Sequence, residues 1–467
     1  MINVANLERR SRLLVRAIVA KAKFNDNTSP FYAYWTLYLD DNRNKPREID
    51  TCATSYCLSI LELDKQRLRN TGNTDPYRHH NIIQQAIRTI LKLRSSSGAW
   101  PSVVEPKVLK VNNDNYKGDV AIGDNYYALT ALMNVNFLSN SFEYVDNIDS
   151  KLQTIDGRIE FVCKSVDWLL NNQISSEEIG WYYTNTKSGN TIESVTIATT
   201  NILTILNRIK NALYAIKNSE LATTYYSRID ETIKSILEYI VDNIKSDGGI
   251  GKFICNPNER CSSLLHTCKL VDSFVISENV DYIDELVKAV EFIITTCEQC
   301  NCSFETKPAS FYSEQYNLVL PSEDEITIRH ENFTEGIILF TLINLIQQYQ
   351  KSGSYVSKAV IDIAKITLII DKLIRQLESM QTKDGAYNGL FRCHVTRNDG
   401  IHPVYASFEG YRAIRLYQTL NTTAMSQHER KSLKQEILCY PFDSSQPYLF
   451  ISYSHYCPLK VANSSLK

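Results

Sequence analysis

Apolar positions recur along this chain at the 3.6-residue helical period, and two kinds of helix alternate. Residues 226–245, YSRIDETIKSILEYIVDNIK, carry one apolar stripe and one wet face, whereas residues 50–61, DTCATSYCLSIL, and 123–133, GDNYYALTALM, are small or apolar over most of their surface. The first kind is predicted near 5–24, 79–94, 156–173, 222–245, 281–298 and 355–381, and the second near 49–64, 120–136, 192–216, 259–277, 328–350 and 404–420. Gly-aromatic turns punctuate the pairs: SSSGAWPS around Trp100, EEIGWYYT around Trp181, KSDGGIGKF around Gly249 and QTKDGAYNGLF around Tyr387, with CEQCNCSFET as a degraded fifth copy. The period is roughly 70 residues. Six wet-faced outer helices alternating with six apolar inner ones predict an all-α protein, an (α/α)6 toroid of six outer/inner helix pairs, with an open solenoid as the alternative. Residues 1–437 are read as one toroid domain. Residues 438–467 lose the helical period and are read as an irregular tail that packs on or closes the ring.

Composition agrees. Sixteen glycines and 12 prolines in 467 residues are about half the usual share, which argues against sandwiches and propellers, whose frequent turns consume these residues. A formal net charge of −2 supplies no global positive field for nucleic acid. The longest apolar stretch, residues 336–346, is far short of the ~20 residues of a membrane span. The N-terminus reads as the first helix rather than a secretory signal, because no apolar core or small-residue cleavage site follows its arginines. A soluble, cytoplasmic protein is expected. Its 12 cysteines are scattered through apolar stretches as buried reduced thiols are. Cys297, Cys300 and Cys302 have metal-ligand spacing but no evident second pair.

Inner-helix N-termini gather free N–H groups on one face of such a ring, so chemistry is sought in the loops before them. Those positions hold Asp50 and Thr51; Asp119, Asp124 and Tyr126; Glu193; Glu259, Cys261 and His266; Arg329, His330, Glu331 and Glu335; and His402, Tyr405, Glu409 and Arg412. Asp50, Asp124, Glu331, His402 and Glu409 are the candidate catalytic residues, and Tyr126, Lys252, Arg260, Arg329, Tyr405 and Arg412 the candidate ligand-binding ones. The plain alternative for Asp50, Asp124 and Glu193 is helix capping.

The turn containing Gln381, Asp384, Gly385 and Tyr387 resembles the Q-x-x-D-G-x-aromatic turns of the terpenoid cyclase and protein prenyltransferase toroids. That resemblance implies the toroid fold and suggests an apolar or isoprenoid-like ligand in a tyrosine-rich central cavity. The D-x-D-D acid of proton-initiated cyclases is absent. A second local resemblance, to the prenyltransferase zinc site, places Gly248 and Gly249 ahead of Glu259 and Cys261, with His330 opening the next inner helix. It implies a zinc ion on Glu259, Cys261 and His330 with a fourth position open. Glu stands where that family has Asp, and only Lys252 and Arg260 remain for a diphosphate.

Three readings of function stay open. One is prenyltransferase or cyclase-like chemistry on an isoprenoid-like ligand, and another is a non-enzymatic toroid that binds a protein partner. The third is an (α/α)6 glycosidase or lyase, which needs two carboxylates across a cleft and aromatic platforms for sugar. Twenty-eight tyrosines are available for such platforms. No nucleotide-binding, zincin or nucleophile-elbow motif is present.

Overall fold

A computed structural model describes residues 4–25, 31–36, 39, 48–70, 79–110, 120–145, 148–175, 179–182, 195–216, 219–251, 254, 262–277, 280–302, 313–319, 325–331, 334–351, 353–383, 388–392 and 404–424. Twelve α-helices occur among them. The outer members are α1 (Val4–Ala20), α3 (His80–Leu93), α5 (Ile155–Asn171), α7 (Glu220–Asp242), α9 (Ile283–Gln299) and α11 (Ile363–Met380). The inner members are α2 (Thr51–Asn70), α4 (Ile122–Asn134), α6 (Thr196–Ala215), α8 (Leu264–Ser277), α10 (Thr334–Gln350) and α12 (Val404–Ala424). Each inner helix packs on the next, and α12 returns to pack on α2, so the inner ring is closed. The fold is an (α/α)6 toroid.

Burial follows the two helix types. In α11 a single stripe of Ile366, Ile369, Ile370, Leu373, Ile374 and Leu377 is buried, while Leu368 on the other face is exposed. In α8, from Leu264 to Ile276, only Lys269 escapes burial. An amphipathic helix lies against a core on one side, whereas a helix between the outer ring and the axis must be dry on nearly all sides.

The turns repeat one hydrogen-bond pattern. The backbone N–H at the aromatic position donates to a side-chain oxygen in the first turn of the following inner helix: Trp35 to Thr54, Trp100 to Asn125, Trp181 to Thr199, Ile250 to Thr267 and Phe391 to Ser407. Where the aromatic is tryptophan, its indole N–H also donates back to the preceding outer helix, Trp35 to the Ile18 carbonyl, Trp100 to Ile90 and Trp181 to Leu169. Buried polar groups are thereby paired, and each outer helix is locked to its inner partner.

Glycine is required where these turns meet the next outer helix. Gly98, Gly248 and Gly389 have φ of 99°, 86° and 99°. A Cβ on Gly98 would stand 2.5 Å from the Lys164 carbonyl oxygen of α5, and one on Gly248 2.4 Å from that of Lys288 in α9. At Gly389 the obstruction is Leu13 of α1, at 2.5 Å; this turn seals the ring. Gln381 completes the seal by donating to the carbonyls of Arg10 and Gly389 at 3.0 and 2.6 Å. Asp384, Gly385 and Tyr387 lie outside the described residues.

Two expected boundaries are wrong. The outer helix predicted from 355 begins at Ile363, after a single 3-10 turn at Tyr355–Lys358. The inner helix predicted from 328 begins at Thr334, and an antiparallel hairpin of Ser313–Val319 and Glu325–Glu331 precedes it. The alternation in EITIRHE, with Ile326, Thr327 and Ile328 β-branched, is strand patterning and carried that signal. The tail expected from 438 is outside the described residues. No helix among the described residues is long and apolar enough to cross a membrane.

Candidate functional site

The five pinning residues put the inner helices in common register, and that register reveals what faces the axis. Two positions beyond each pin stand Tyr56, Tyr127, Asn201, Lys269 and Glu409; five beyond stand Ser59, Thr130, Thr204, Asp272 and Arg412; nine beyond stand Leu63, Asn134, Arg208, Ile276 and Leu416. These are successive turns of one helix face. Most of these side chains, with Tyr126, Phe340 and Phe408, line an axial shaft to which all six inner helices contribute. Its cavity is about 50 Å³.

Two carboxylates lie at the N-terminal ends of α2 and α4. Asp50 precedes α2, where its Oδ1 accepts the Ala53 N–H at 2.6 Å. Asp124 sits in the first turn of α4 and accepts the Ser102 hydroxyl at 2.5 Å. Ser102 reaches it because Asp50 pairs with Val103 in a short antiparallel bridge between Ile49–Asp50 and Val103–Val104. Burial, and then the charge of Asp124, pushes Asp50 up to about 7. Burial pushes Asp124 up to about 6, with the Ser102 hydrogen bond opposing. Two neighbouring acids whose environments hold them near neutrality and slightly apart suit a proton donor and acceptor. Burial and both carboxylates drive the nearby Cys52 thiol well above its usual range, so it is no thiolate nucleophile.

Aromatic rings floor these ends. Tyr56 lies 4.5 Å from Tyr127 and 4.7 Å from Phe408, centroid to centroid, and Tyr127 lies 4.9 Å from Tyr126. Beside them Arg412 pairs with Glu409 at 2.6 Å and stacks 3.3 Å over Phe340. Lys269 reaches Glu409 at 3.8 Å. Below, burial raises Asp272 to about 6 against the opposing charges of Lys269 and Arg412.

Of the expected residues, Tyr126 and Arg412 line the shaft, Glu409 pairs with Arg412, and Asp50 and Asp124 stand at the starts of α2 and α4, close enough for the charge of Asp124 to act on Asp50. Tyr405 lies in the first turn of α12. Arg329, His330 and Glu331 do not open an inner helix as expected: they lie on a strand opposite Gln315, Glu314 and Ser313. Asp119, Glu193, Lys252, Glu259, Arg260, Cys261 and His402 lie outside the described residues. Among the described residues no cluster of three His, Cys, Asp or Glu is arranged to hold a metal. Cys297, Cys300 and Cys302 are buried at the end of α9, with the Cys300 thiol directed at the Cys297 carbonyl. Lys269, Asp272, Arg208 and Thr130 are not among the expected residues, because they stand inside helices and not at the helix starts. Their signal is a polar residue every three or four positions in an otherwise apolar helix, as in LLHTCKLVDSFVIS.

No family model matches the chain, and no curated protein matches it. Solved structures do. Cellobiose 2-epimerase from Spirochaeta thermophila has 11% identity and a TM-score of 0.57, covering 90% of this chain and 98% of its own. D-mannose isomerase has 9% identity and a TM-score of 0.54, with 90% and 99% covered. An inactive variant of an α-1,6-mannanase of Salegentibacter, with two consecutive aspartates replaced and α-1,6-mannotetrose bound, has 10% identity, a TM-score of 0.53, and 90% and 100% covered. At such identities the likeness shows the fold alone. It corrects the expected kinship with terpenoid cyclases and prenyltransferases: these neighbours are sugar-acting (α/α)6 proteins. Gln381 and the turn glycines, which carried that resemblance, pin and close the ring, and the isoprenoid-like ligand inferred from them loses its support.

Proposed function

We propose that this chain is a carbohydrate-acting enzyme of the glycosidase or epimerase type, with its reaction centre at the inner-helix N-termini. The observation that carries this reading is the Asp50–Asp124 pair, held near 7 and 6 beside an aromatic floor. Capping accounts for the Ala53 N–H that Asp50 receives, but setting a second buried carboxylate beside it is a cost that capping does not require. Asp50, the more readily protonated, serves as general acid. Asp124, kept the more ionised of the two, serves as base or nucleophile. Tyr127, half-buried beside the buried rings of Tyr56 and Phe408, offers the aromatic face on which a sugar ring stacks. The fold shared with epimerases, isomerases and mannanases supports the substrate class.

One observation favours the rival reading of a non-catalytic binding toroid. The shaft, at about 50 Å³, is well below the ~300 to 1,000 Å³ of ordinary ligand sites.

The test is to incubate the purified chain with a panel of oligosaccharides and free sugars, scoring both reducing ends released and epimers formed. Activity that falls at least ~100-fold in Asp50→Asn and in Asp124→Asn, with both variants folded, supports the reading. Activity unchanged in both variants, or no turnover of any sugar by the wild type, refutes it.

A further inference from the structure

Below the carboxylate pair, the shaft holds buried charge that its own side chains leave unanswered. Arg208 is 8% exposed and lines the shaft. Its Nη2 donates to Asn134 Oδ1 at 2.8 Å, while its Nε has no partner among the described residues. It forms no ion pair among them; burial lowers its pKa to about 10, with Tyr126 opposing and the like charge of Arg412 adding to the effect. Arg412 also has an unpartnered Nε, and Thr130 and Asp272 each present a buried, unpartnered oxygen. Lys269 adds a third cation. Among the described residues three cations therefore face two carboxylates, Asp272 and Glu409, and Glu409 is already taken by Arg412 and Lys269.

An isolated buried guanidinium is expensive unless something anionic meets it. Its planar fork matches an oxyanion bidentately. The cavity beside it, about 50 Å³, is a third of the size that admits a benzene ring, so it accepts a small group and excludes a whole sugar.

We infer that Arg208, with Lys269 and Arg412, forms a subsite for the anionic substituent of a sugar, a carboxylate or a phosphate, whose ring stays above at Tyr127. This rests on the carbohydrate reading and deepens it: the substrate is an acidic sugar rather than a neutral one. The same arrangement gives polarity, since the charged group enters first and the ring is left beside Asp50 and Asp124.

The experiment titrates the full chain with D-glucuronate, glucose 6-phosphate, D-glucose and inorganic phosphate by calorimetry. Wild type should bind at least one of the two acidic sugars about tenfold or more tighter than glucose, and which of the two is preferred tells carboxylate from phosphate. Arg208→Gln should remove that preference. Should that variant fail to fold, Asn134→Asp supplies the evidence: it sets a carboxylate against Arg208, and the Ser59 hydroxyl, which accepts from Asn134 and donates to the Ser55 carbonyl, can turn to donate to the new carboxylate instead. It should abolish anion binding while raising the thermal midpoint of the unliganded protein. Equal affinity for glucose and the acidic sugars, anion binding that survives in both variants, or no binding by any of the three anions overturns the inference. Turnover of neutral sugars alone would leave the carbohydrate reading standing and the subsite refuted. Phosphate held through Arg208 with no sugar bound or turned over would leave the subsite standing and the carbohydrate reading refuted.

Discussion

Glu8 Oε1 lies 2.6 Å from the Arg67 guanidinium, and its Oε2 lies 3.2 Å from that of Arg415. One carboxylate of α1 thus binds α2 and α12, the two inner helices that meet where the ring closes. Arg67 also holds Asp64, which in turn faces His79 at 3.4 Å. Removing Glu8 would leave two buried guanidiniums short of charge, so Glu8→Gln is expected to cost about 3 to 5 kcal/mol in denaturant unfolding. Although burial pushes Glu8 up, Arg415 and Arg67 outweigh it and hold the carboxyl below its ordinary value. Its contribution is therefore present above the unfolded pKa and lost as pH falls through the folded one. The gap between variant and wild type should close in acid, and a gap that stays constant down to pH 3 would contradict this account.

Ring closure also depends on Gly389. Gly389→Ala combines a φ of 99° with a Cβ 2.5 Å from the Leu13 backbone. Gly353→Ala, with φ of 82° and nothing within 4 Å, isolates the left-handed strain, about 1 to 2 kcal/mol. Unfolding experiments should show Gly389→Ala clearly the more destabilised of the two. Equal losses would mean that the turn yields without opening the seam.

The Asn125 side chain serves three hydrogen bonds, receiving the Trp100 N–H at 3.1 Å and donating to the Ala121 and Trp100 carbonyls at 2.9 and 3.4 Å. Asn125→Ala orphans a buried N–H, for about 1 to 3 kcal/mol. Hydrogen exchange at the Trp100 amide should accelerate in the variant, and unchanged protection would show that the pin is dispensable.

Asp50 behaves oppositely to Glu8. Its folded pKa of about 7 lies above the unfolded value of ~3.9, so the folded state binds the extra proton. Stability from this group is fully present below the unfolded pKa and is lost as pH rises through the folded one. Asp50→Asn keeps an acceptor for the Ala53 N–H but removes the charge. The variant should match wild type near pH 4 and exceed it in thermal midpoint near pH 8. A variant less stable than wild type at pH 8 would show that the carboxylate is stabilised rather than strained.

Much of the fold was legible. The wet-faced and dry helices alternate in the residues themselves, and the glycines of SSGAW and SDGGI mark where outer helices end. Periodicity extended one inner helix too far, over Arg329, His330 and Glu331, because an apolar run beginning at Gly336 drew the boundary backwards across a strand. The Gln381 turn misled differently. Its chemistry is that of a seam between helices, which any ring of this kind needs, so it spoke for the fold and was silent on the ligand.

The candidate site was only half visible. Asp50 and Asp124 stood out because helix starts are where carboxylates attract notice. Arg208, Asp272 and Lys269 did not, since an isolated charge within an apolar helix has no meaning until its neighbours are known. The sequence by itself determined the ring, because helical period, face and turn glycines are local properties of consecutive residues. Only the tertiary structure decided which charges meet, because the shaft is assembled from six helices spread over more than 300 residues, and a pKa or an unpaired guanidinium exists only once those helices exclude water.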